Sequence, residues 1–169
     1  VNDNQMSIAE NHGGLYASLK ALRESNGTSE NNLFRAMGLD YRYEAAGNDI
    51  GALIRALNAV KDLDHPVVLH INTLKGKGYG PAETRKEEFH WHFPFDRESG
   101  EILPDFRFEG ESYEEATADY LLQAAAEDPA VLVLTSGVPG TVDLTPERRA
   151  MLGAQYLDVG IAEQTALAI

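Results

Sequence analysis

The first residues of the chain concentrate oxygen-bearing groups where a predicted strand gives way to a loop. Residues 1–9 are predicted to make this transition, and Asn2-Asp3-Asn4-Gln5-Met6-Ser7-Ile8 places amide, carboxylate and backbone oxygens there. Ligands of open α/β sheets bind beyond the carboxyl ends of the strands, and Mg²⁺ prefers such hard oxygens. The segment indicates a magnesium site, and the alternative is an ordinary polar turn, because Asn and Asp are common turn residues.

A segment rich in glycine and lysine follows the strand predicted over residues 67–71. Lys75-Gly76-Lys77-Gly78-Tyr79-Gly80 offers backbone N–H groups and two cations, both of which bind phosphate. It lacks the G-x-x-x-x-G-K-[ST] pattern, and no helix is predicted directly after it, so neither a P-loop nor a dinucleotide-binding fingerprint applies. The alternative is a flexible strand exit, since glycine interrupts strands for many reasons.

Two histidines flank the only tryptophan in His90-Trp91-His92. Two imidazoles without a third ligand fall short of the three or four protein ligands of a zinc site. Aromatic packing explains the pair without further chemistry. The catalytic alternative is one histidine, His90, carrying a proton in a cleft, because histidine titrates near neutral pH.

Glu163 lies in the first turn of a predicted helix, within Gly160-Ile161-Ala162-Glu163-Gln164. Carboxylates are common at this position because the helix dipole favours them. The neighbouring residues are apolar, and burial among them would raise the pKa of Glu163, as a general acid or base requires. Glu163 is therefore a candidate catalytic residue, and an ordinary carboxylate at a helix start is the alternative.

Alternating helices and strands position these segments. A helix is predicted over residues 15–23, and Asp49 is the predicted cap of a second helix that precedes the strand at 67–71. That second helix repeats apolar residues at a spacing that predicts a buried face: Ile50, Leu53, Ile54 and Leu57. After Ser112, a capping box, strands at 131–134 and 156–159, and a helix beginning at Thr145-Pro146 are predicted. This order predicts an α/β fold with parallel sheets.

Regular patterning is absent from residues 75–110, which are rich in glycine, proline and aromatic residues. Flexible linkers are not aromatic, so this stretch is predicted to pack on the surfaces that it joins. The chain is predicted to comprise parts of two parallel-sheet domains, residues 1–75 and 112–169, joined by a connector at 76–111.

Composition excludes several classes of function. The 169 residues carry 14 basic and 27 acidic side chains, a net charge of −13, which argues against nucleic acid as the main partner. No apolar stretch is long enough for a transmembrane helix, and the absence of cysteine removes disulfides and thiolate chemistry. The chain begins without Met and closes in a run of helix formers, so it is expected to be an internal piece of a longer protein.

Four collinear motifs together resemble the 1-deoxy-D-xylulose-5-phosphate synthase family, within the transketolase-like thiamine diphosphate enzymes. The motifs are the segment Asn2–Ile8, the segment Leu74–Glu83, Phe89-His90 with Pro94-Phe95-Asp96, and Asp158–Gln164. They span essentially the whole chain in the family's order. The resemblance implies thiamine diphosphate-binding-type domains, with the cofactor between a diphosphate-binding and a pyrimidine-binding domain.

The resemblance assigns roles to individual residues. It implies that Asn4 and the Met6 carbonyl bind Mg²⁺, and that Lys75 and Tyr79 contact the cofactor. It also implies that Glu163 hydrogen-bonds the aminopyrimidine ring of thiamine diphosphate. The family differs from this chain at two of its frequent histidines, which are Asn48 and Thr165 here.

The reaction implied by the resemblance condenses pyruvate with glyceraldehyde 3-phosphate to 1-deoxy-D-xylulose 5-phosphate with loss of CO₂, in the isoprenoid and thiamine biosynthetic routes. It further implies a cytoplasmic homodimer. Two alternatives stay open: two-carbon transfer between sugar phosphates, as in transketolases, and a non-catalytic α/β module. Because the family's other Mg²⁺-binding motif and much of its pyrimidine domain have no counterpart in these residues, the isolated chain is expected to be inactive.

Overall fold

The computed structural model describes residues 1–169, whose contacts form two compact units. The first unit comprises residues 1–6 and 12–83, and the second comprises residues 7–11 and 84–169. The predicted division at 75/76 and 111/112 concerns domains and stays a prediction. Within the structure, residues 84–111 group with the second unit.

The first unit is a three-stranded parallel sheet with helices between its strands. In chain order its elements are β1 (Asn2–Asp3), α1 (Gly14–Glu24), α2 (Leu33–Ala36), β2 (Asp40–Glu44), α3 (Ile50–Asn58), β3 (Val67–Asn72) and α4 (Gly80–Thr84). The strand order is β1-β3-β2, so β3 is central and pairs in parallel with both neighbours. This confirms the predicted α/β class and the predicted strand at residues 67–71.

Three elements of the first unit, α2, β2 and α4, were not predicted from sequence. Strand β2 alternates Tyr41 and Tyr43 with charged residues, which is the period-2 signal of a strand. Helix α4 directly follows the glycine- and lysine-rich segment, so the expectation that no helix follows it was wrong. It is only five residues long, too short for apolar periodicity to reveal.

Helix α3 confirms its predicted cap and contradicts its predicted buried face. The Asp49 carboxylate accepts a hydrogen bond from the Ala52 N–H at 2.5 Å, as the N-cap prediction requires. However, Ile50 is 74% exposed, and Ile54 and Leu57 are also exposed, while Ala52 is the buried residue. The apolar spacing was correctly recognised, but no element of the unit covers that side of the helix.

The second unit builds its regular part on a two-stranded parallel sheet. Its elements are α5 (Tyr113–Glu127), β4 (Val133–Thr135), α6 (Pro146–Leu152), β5 (Tyr156–Asp158) and α7 (Glu163–Ala168), with short 3₁₀ turns at 88–90, 104–106, 139–142 and 153–155. Its core brings together residues from α5, β4, the loop before α6, and α6: Ala118, Ala125, Val133, Leu144 and Leu152. No helix of either unit is long and apolar enough to cross a lipid bilayer.

Local sequence signals set the helix ends of the second unit. The predicted capping box forms at α5, because Ser112 and Glu115 each accept the other's backbone N–H. Thr145 caps α6 through its hydroxyl, and Pro146 occupies the first turn, where its missing N–H costs nothing. Both predictions are confirmed.

The aromatic stretch forms a small folded element. Phe95 and Ile102 make an antiparallel bridge around a turn that the Asp96 carboxylate stabilises by accepting bonds from Glu98 and Ser99. Ahead of it in the chain, both carboxylate oxygens of Glu87 accept bonds from Arg149, at 2.8 and 3.0 Å. This bidentate ion pair holds the backbone around Glu87 against α6.

An exposed histidine at the amino end of β3 gives the first unit a predictable pH response. His65 Nδ1 lies 3.0 Å from Asp64 and its Nε2 lies 2.9 Å from Asp40. The hydrogen bonds that His65 donates to Asp64 and Asp40 raise the pKa of His65, and the bond that Asp40 accepts from His65 lowers the pKa of Asp40. A histidine whose pKa is higher in the folded than in the unfolded state stabilises the fold at pH values below its unfolded-state pKa, near 6.5. This stabilisation is lost as the pH rises through the folded-state pKa.

We expect His65→Asn to lower the urea midpoint at pH 5.5 and to leave it nearly unchanged at pH 8.5. The difference should shrink at about 1 M salt, because surface charges are screened there. Urea unfolding followed by circular dichroism measures both midpoints. An equal loss at the two pH values would show that the charge on His65 contributes nothing.

Candidate functional site

The parallel topology of the first unit gathers three strand exits at one sheet edge. Residues 4–6 follow β1, residues 45–49 follow β2 and residues 73–79 follow β3. Hydrogen bonds join the exits: the Gly47 N–H donates to the Asn72 carbonyl at 3.0 Å, and the Thr73 hydroxyl donates to the Asn2 side chain at 2.6 Å. The predicted site residues of this unit, Asn4, Met6, Lys75 and Tyr79, thus lie on segments of one edge.

The turn after β1 is built by two consecutive side chains. The Asp3 carboxylate accepts the Gln5 N–H at 3.1 Å, and the Asn4 amide oxygen accepts the Met6 N–H at 3.0 Å. Gln5 takes a left-handed conformation with φ of 68°, which few residues other than glycine adopt. The two bonds explain how that conformation is held, and they direct Asn4 and Met6 to successive positions of the turn.

Asp3 is buried and fully engaged, so it is not a free metal ligand. Its carboxylate accepts bonds from Arg23 and, at 2.9 Å, from His70 Nε2. Burial by itself raises the pKa of Asp3, but the hydrogen bonds from Arg23 and His70 outweigh it, and the pKa lies below its usual value. The Asp3 carboxylate therefore has a structural role. The oxygens of Asn4 and Met6 remain candidate Mg²⁺ ligands.

His70 is the centre of a buried polar chain that crosses the sheet. Its Nε2 faces Asp3, while its Nδ1 lies 2.7 Å from the Tyr41 hydroxyl. Burial lowers the pKa of His70 and raises that of Tyr41 to about 12. A neutral His70 satisfies both contacts: Nε2–H donates to the carboxylate, and Nδ1 accepts from the tyrosine. Sequence analysis assigned no role to His70, because its partner Asp3 lies 67 residues away.

The segment after β3 is a closed turn rather than an open cradle of N–H groups. The Lys77, Gly78 and Tyr79 N–H groups donate to Leu74, Glu83 and Gly76 respectively. Gly76 has a φ of 81°, and a Cβ there would lie 2.5 Å from the Ala82 carbonyl, so only glycine fits. These three N–H groups are therefore occupied, and the Lys77 ammonium also lies 3.9 Å from the Glu83 carboxylate.

The exit of β2 approaches β3 so closely that a side chain is excluded. A Cβ on Gly47 would lie 2.3 Å from the Asn72 carbonyl oxygen. The next residue, Asn48, accepts the Leu74 N–H at 2.7 Å through its side-chain oxygen. Asn48, which stands where the related family often has histidine, thus fixes the start of the Lys75 segment.

In the second unit, Glu163 begins α7 close to the exit of β5, and its side chain is exposed. The apolar neighbours in sequence do not bury it. The preceding residues are held by Asp158, whose carboxylate accepts the Gly137 and Gly160 N–H groups. Sequence analysis did not single out Asp158, because its partners on β4 and the following loop are more than twenty residues away.

The two histidines of the aromatic stretch differ in environment. His92 is packed: it stacks on Phe89 with ring centroids 4.6 Å apart, and its Nε2 lies 2.9 Å from Glu88. This confirms aromatic packing for His92. His90 ends the 3₁₀ turn at 88–90 and is exposed, and its proposed role as a proton carrier stays a prediction.

The oxygen donors at the first unit's edge are compatible with Mg²⁺ as part of a coordination shell. The Asn4 amide oxygen has a second lone pair beyond the one that accepts the Met6 N–H. Mg²⁺ commonly takes one or two protein ligands and completes its shell with water and phosphate oxygens. No cluster of three or more His, Asp or Glu side chains capable of holding a metal occurs in the structure.

Removing the Tyr41 hydroxyl tests the buried chain around His70. We expect Tyr41→Phe to cost about 1–3 kcal/mol of unfolding free energy, because His70 Nδ1 loses its donor inside the unit. Urea titration of the variant and of the parent protein measures the difference. Tyr113→Phe is the matched control, since Tyr113 is 92% exposed, and it should change stability by less than about 0.5 kcal/mol. Equal effects of the two variants would contradict the assigned chain.

Comparison with known proteins supplies independent findings. Residues 23–73 match a family model described as 1-deoxy-D-xylulose-5-phosphate synthase. The chain is also similar to proteins of that name. It is 36% identical to the one from Heliobacterium modesticaldum over 135 residues, which cover 80% of this chain and 20% of that protein.

Two further similarities extend over nearly the whole chain. The synthase of Myxococcus xanthus is 36% identical over 168 residues, covering 99% of this chain and 27% of that protein. The synthase of Chlorobium phaeovibrioides is 32% identical over 209 aligned positions, covering 99% of this chain and 32% of that protein. The chain thus spans about a fifth to a third of the length of these relatives, and it belongs to the 1-deoxy-D-xylulose-5-phosphate synthase family.

Proposed function

We propose that the protein containing this chain condenses pyruvate with glyceraldehyde 3-phosphate to 1-deoxy-D-xylulose 5-phosphate, releasing CO₂, with thiamine diphosphate and Mg²⁺. The observation that carries the proposal is the similarity to named synthases along 99% of the chain, which includes both strand-exit regions. The family resemblance also implies a cytoplasmic homodimer, and this stays a prediction.

The first unit's edge is suited to hold a magnesium diphosphate. Asn4 presents an amide oxygen from a turn that two hydrogen bonds fix, and the Met6 carbonyl lies in the same turn. Lys75 and Lys77 follow the neighbouring strand and supply positive charge for phosphate oxygens. Arg23 compensates the negative charge of the Asp3 carboxylate.

Tyr79 and Glu163 are the proposed contacts to the organic part of the cofactor. The Tyr79 N–H is held by the Gly76 carbonyl at 3.1 Å, so the position of its backbone is fixed by the closed turn. Glu163 offers an exposed carboxylate that can accept a hydrogen bond from a ring nitrogen. His90 is the proposed proton carrier for substrate, because its imidazole is exposed and has two ring nitrogens that can donate or accept a proton.

Thiamine diphosphate, when bound, supplies the carbanion chemistry that amino-acid side chains lack. The protein's part is to hold the diphosphate, to orient the ring and to move protons at Glu163 and His90. The residues of this chain therefore determine affinity and orientation.

Substitution of Asn4 tests the proposed magnesium ligand. We expect Asn4→Ala to weaken Mg²⁺-dependent binding of thiamine diphosphate to the full-length protein by about 10–100-fold, because one oxygen ligand is lost. Isothermal titration with Mg²⁺, and with EDTA in its place, measures the affinity.

Two control variants separate the ligand from the fold. Asn4→Asp keeps an oxygen that can bind the metal and accept the Met6 N–H, so its affinity should stay within a few-fold of the parent. Asn58→Ala, at the exposed end of α3, should have no effect. Equal affinities of the Ala and Asp variants at position 4 would remove Asn4 from the metal site.

The reaction is tested by incubating the full-length protein with pyruvate, glyceraldehyde 3-phosphate, Mg²⁺ and thiamine diphosphate. The proposal expects CO₂ release in step with pentulose phosphate formation. Two-carbon transfer between sugar phosphates without pyruvate consumption would indicate the transketolase-type alternative. Absence of any Mg²⁺-dependent cofactor binding would indicate a non-catalytic module.

A further inference from the structure

The carboxylate of Asp158 makes four polar contacts at the end of β5. Its Oδ1 accepts the Gly160 N–H at 2.7 Å and the Gly137 N–H at 3.1 Å. Its Oδ2 lies 3.0 Å from the Thr135 hydroxyl and 3.2 Å from the Tyr156 hydroxyl, and these hydroxyls lie 2.7 Å from each other, so the three oxygens share two hydroxyl protons. Both carboxylate oxygens of Asp158 are therefore engaged by neighbouring groups of the second unit.

The two backbone donors belong to different loops. Gly137 lies in the exit of β4, and Gly160 lies in the exit of β5. The Val159 N–H also donates to the Thr135 carbonyl at 3.0 Å, which extends the pairing of the strands by one residue. One oxygen of Asp158 therefore ties together the two exits at the carboxyl edge of this sheet.

The exits approach each other closely at a glycine with a positive φ. Gly137 has a φ of 79°, and a Cβ there would lie 3.1 Å from the Gly160 carbonyl carbon and the Ile161 nitrogen. Gly160 has a φ of 71°, and its carbonyl accepts the Ala162 N–H at 2.7 Å, directly before Glu163. The path from Asp158 to Glu163 is thus a tight turn with little freedom.

We infer that Asp158 is a positioning residue that fixes Glu163 by tying the β5 exit to the β4 exit. Without the carboxylate, the Gly137 and Gly160 N–H groups lose their shared acceptor, and the turn leading to Glu163 is free to rotate. The identity of the group that Glu163 contacts rests on the proposed function, whereas the restraint of the turn does not.

The partners of Asp158 allow a sharp comparison of Asp158→Ala with Asp158→Asn. Backbone N–H groups only donate, so they require an oxygen at Oδ1. The hydroxyls of Thr135 and Tyr156 can each donate or accept a hydrogen bond. In Asp158→Asn they can therefore accept from the amide nitrogen that takes the place of Oδ2. Asp158→Asn therefore keeps all four contacts, while Asp158→Ala loses them.

Hydrogen exchange measured by NMR tests the restraint without any cofactor. The Gly137 and Gly160 amides should be protected in the parent protein and should exchange at least tenfold faster in Asp158→Ala. In Asp158→Asn they should stay within about threefold of the parent. The Ile71 amide, which donates to the Val1 carbonyl in the first unit, is the internal reference and should not change.

Unprotected Gly137 and Gly160 amides in the parent protein would overturn the inference, as would equal rates in the parent and Asp158→Ala. If Asp158→Ala lacks a folded circular dichroism spectrum, Asp158→Glu replaces it. That variant keeps the charge and moves the carboxylate by one methylene, so it should accelerate the same two amides. Unchanged rates in Asp158→Glu would contradict the inference.

A double-mutant cycle with Glu163→Gln tests whether Asp158 acts through Glu163. In the full-length protein, Asp158→Ala should weaken thiamine diphosphate binding at least tenfold, and Asp158→Asn should restore it. In the Glu163→Gln background, Asp158→Ala should add less than about twofold. Additive effects would reduce Asp158 to general support of the fold, which contradicts positioning.

The exchange and binding measurements fail separately. If the parent protein does not bind thiamine diphosphate, the proposed function fails, while the exchange rates still decide whether Asp158 restrains the turn. If the parent binds the cofactor but the cycle is additive, the proposed function stands and the positioning role is rejected.

Discussion

The buried carboxylate of Asp3 is the group on which the arrangement of the first unit depends. A buried negative charge is tolerated only when hydrogen-bond donors and an opposite charge compensate for its lost hydration. Arg23 from α1 and His70 from β3 provide that compensation, and Asp3 itself lies on β1. The three elements must therefore come together, and the turn at Asn4 directly follows Asp3, the residue that holds them.

Burial also determines the protonation state of each residue in the buried polar chain around His70. Arg23 stays charged and pairs with the carboxylate, so His70 does not need to carry a charge and burial keeps its pKa low. A neutral imidazole has one donor and one acceptor, which matches one carboxylate and one tyrosine hydroxyl. These hydrogen-bonded side chains thus link all three strands of the sheet without an unpaired charge.

The second unit applies the same principle with different donors. Asp158 also lies at a strand end, but two of its four partners are backbone N–H groups of the adjoining loops. A carboxylate that accepts backbone bonds fixes the path of the chain, whereas one that accepts side-chain bonds fixes the packing of elements. In both units the carboxylate within the strand supports the structure, and the proposed chemistry belongs to a residue in the following turn.

Both units leave apolar side chains exposed on their helices. Ile50, Ile54 and Leu57 form one side of α3, and Leu167 of α7 is 89% exposed. An apolar stripe at helical spacing reports that a surface is suited to burial, but whether it is buried depends on what lies against it. The chain spans only 20–32% of its compared relatives, and within its residues no element covers these sides.

The sequence by itself determined those features whose cause lies within a few residues. The caps at Asp49, Ser112 and Thr145 each depend on a bond to the residue three positions later, and the central strand, predicted at 67–71, depends on a short run of mostly apolar residues. The α/β class followed from their order. Four motifs likewise indicated the family, because each consists of short runs of residues that are recognisable without the structure.

Only the tertiary structure decided which of the candidate groups are available for chemistry. The sequence groups Asp3 with the predicted Mg²⁺ ligands. In the structure, Arg23 and His70, which are 20 and 67 residues away, donate hydrogen bonds to its carboxylate. Asp158 and Gly137 are joined across 21 residues, and no local pattern announces that bond. The exposure of Glu163 and of the α3 stripe was equally undetermined, because burial depends on neighbours that are distant in sequence.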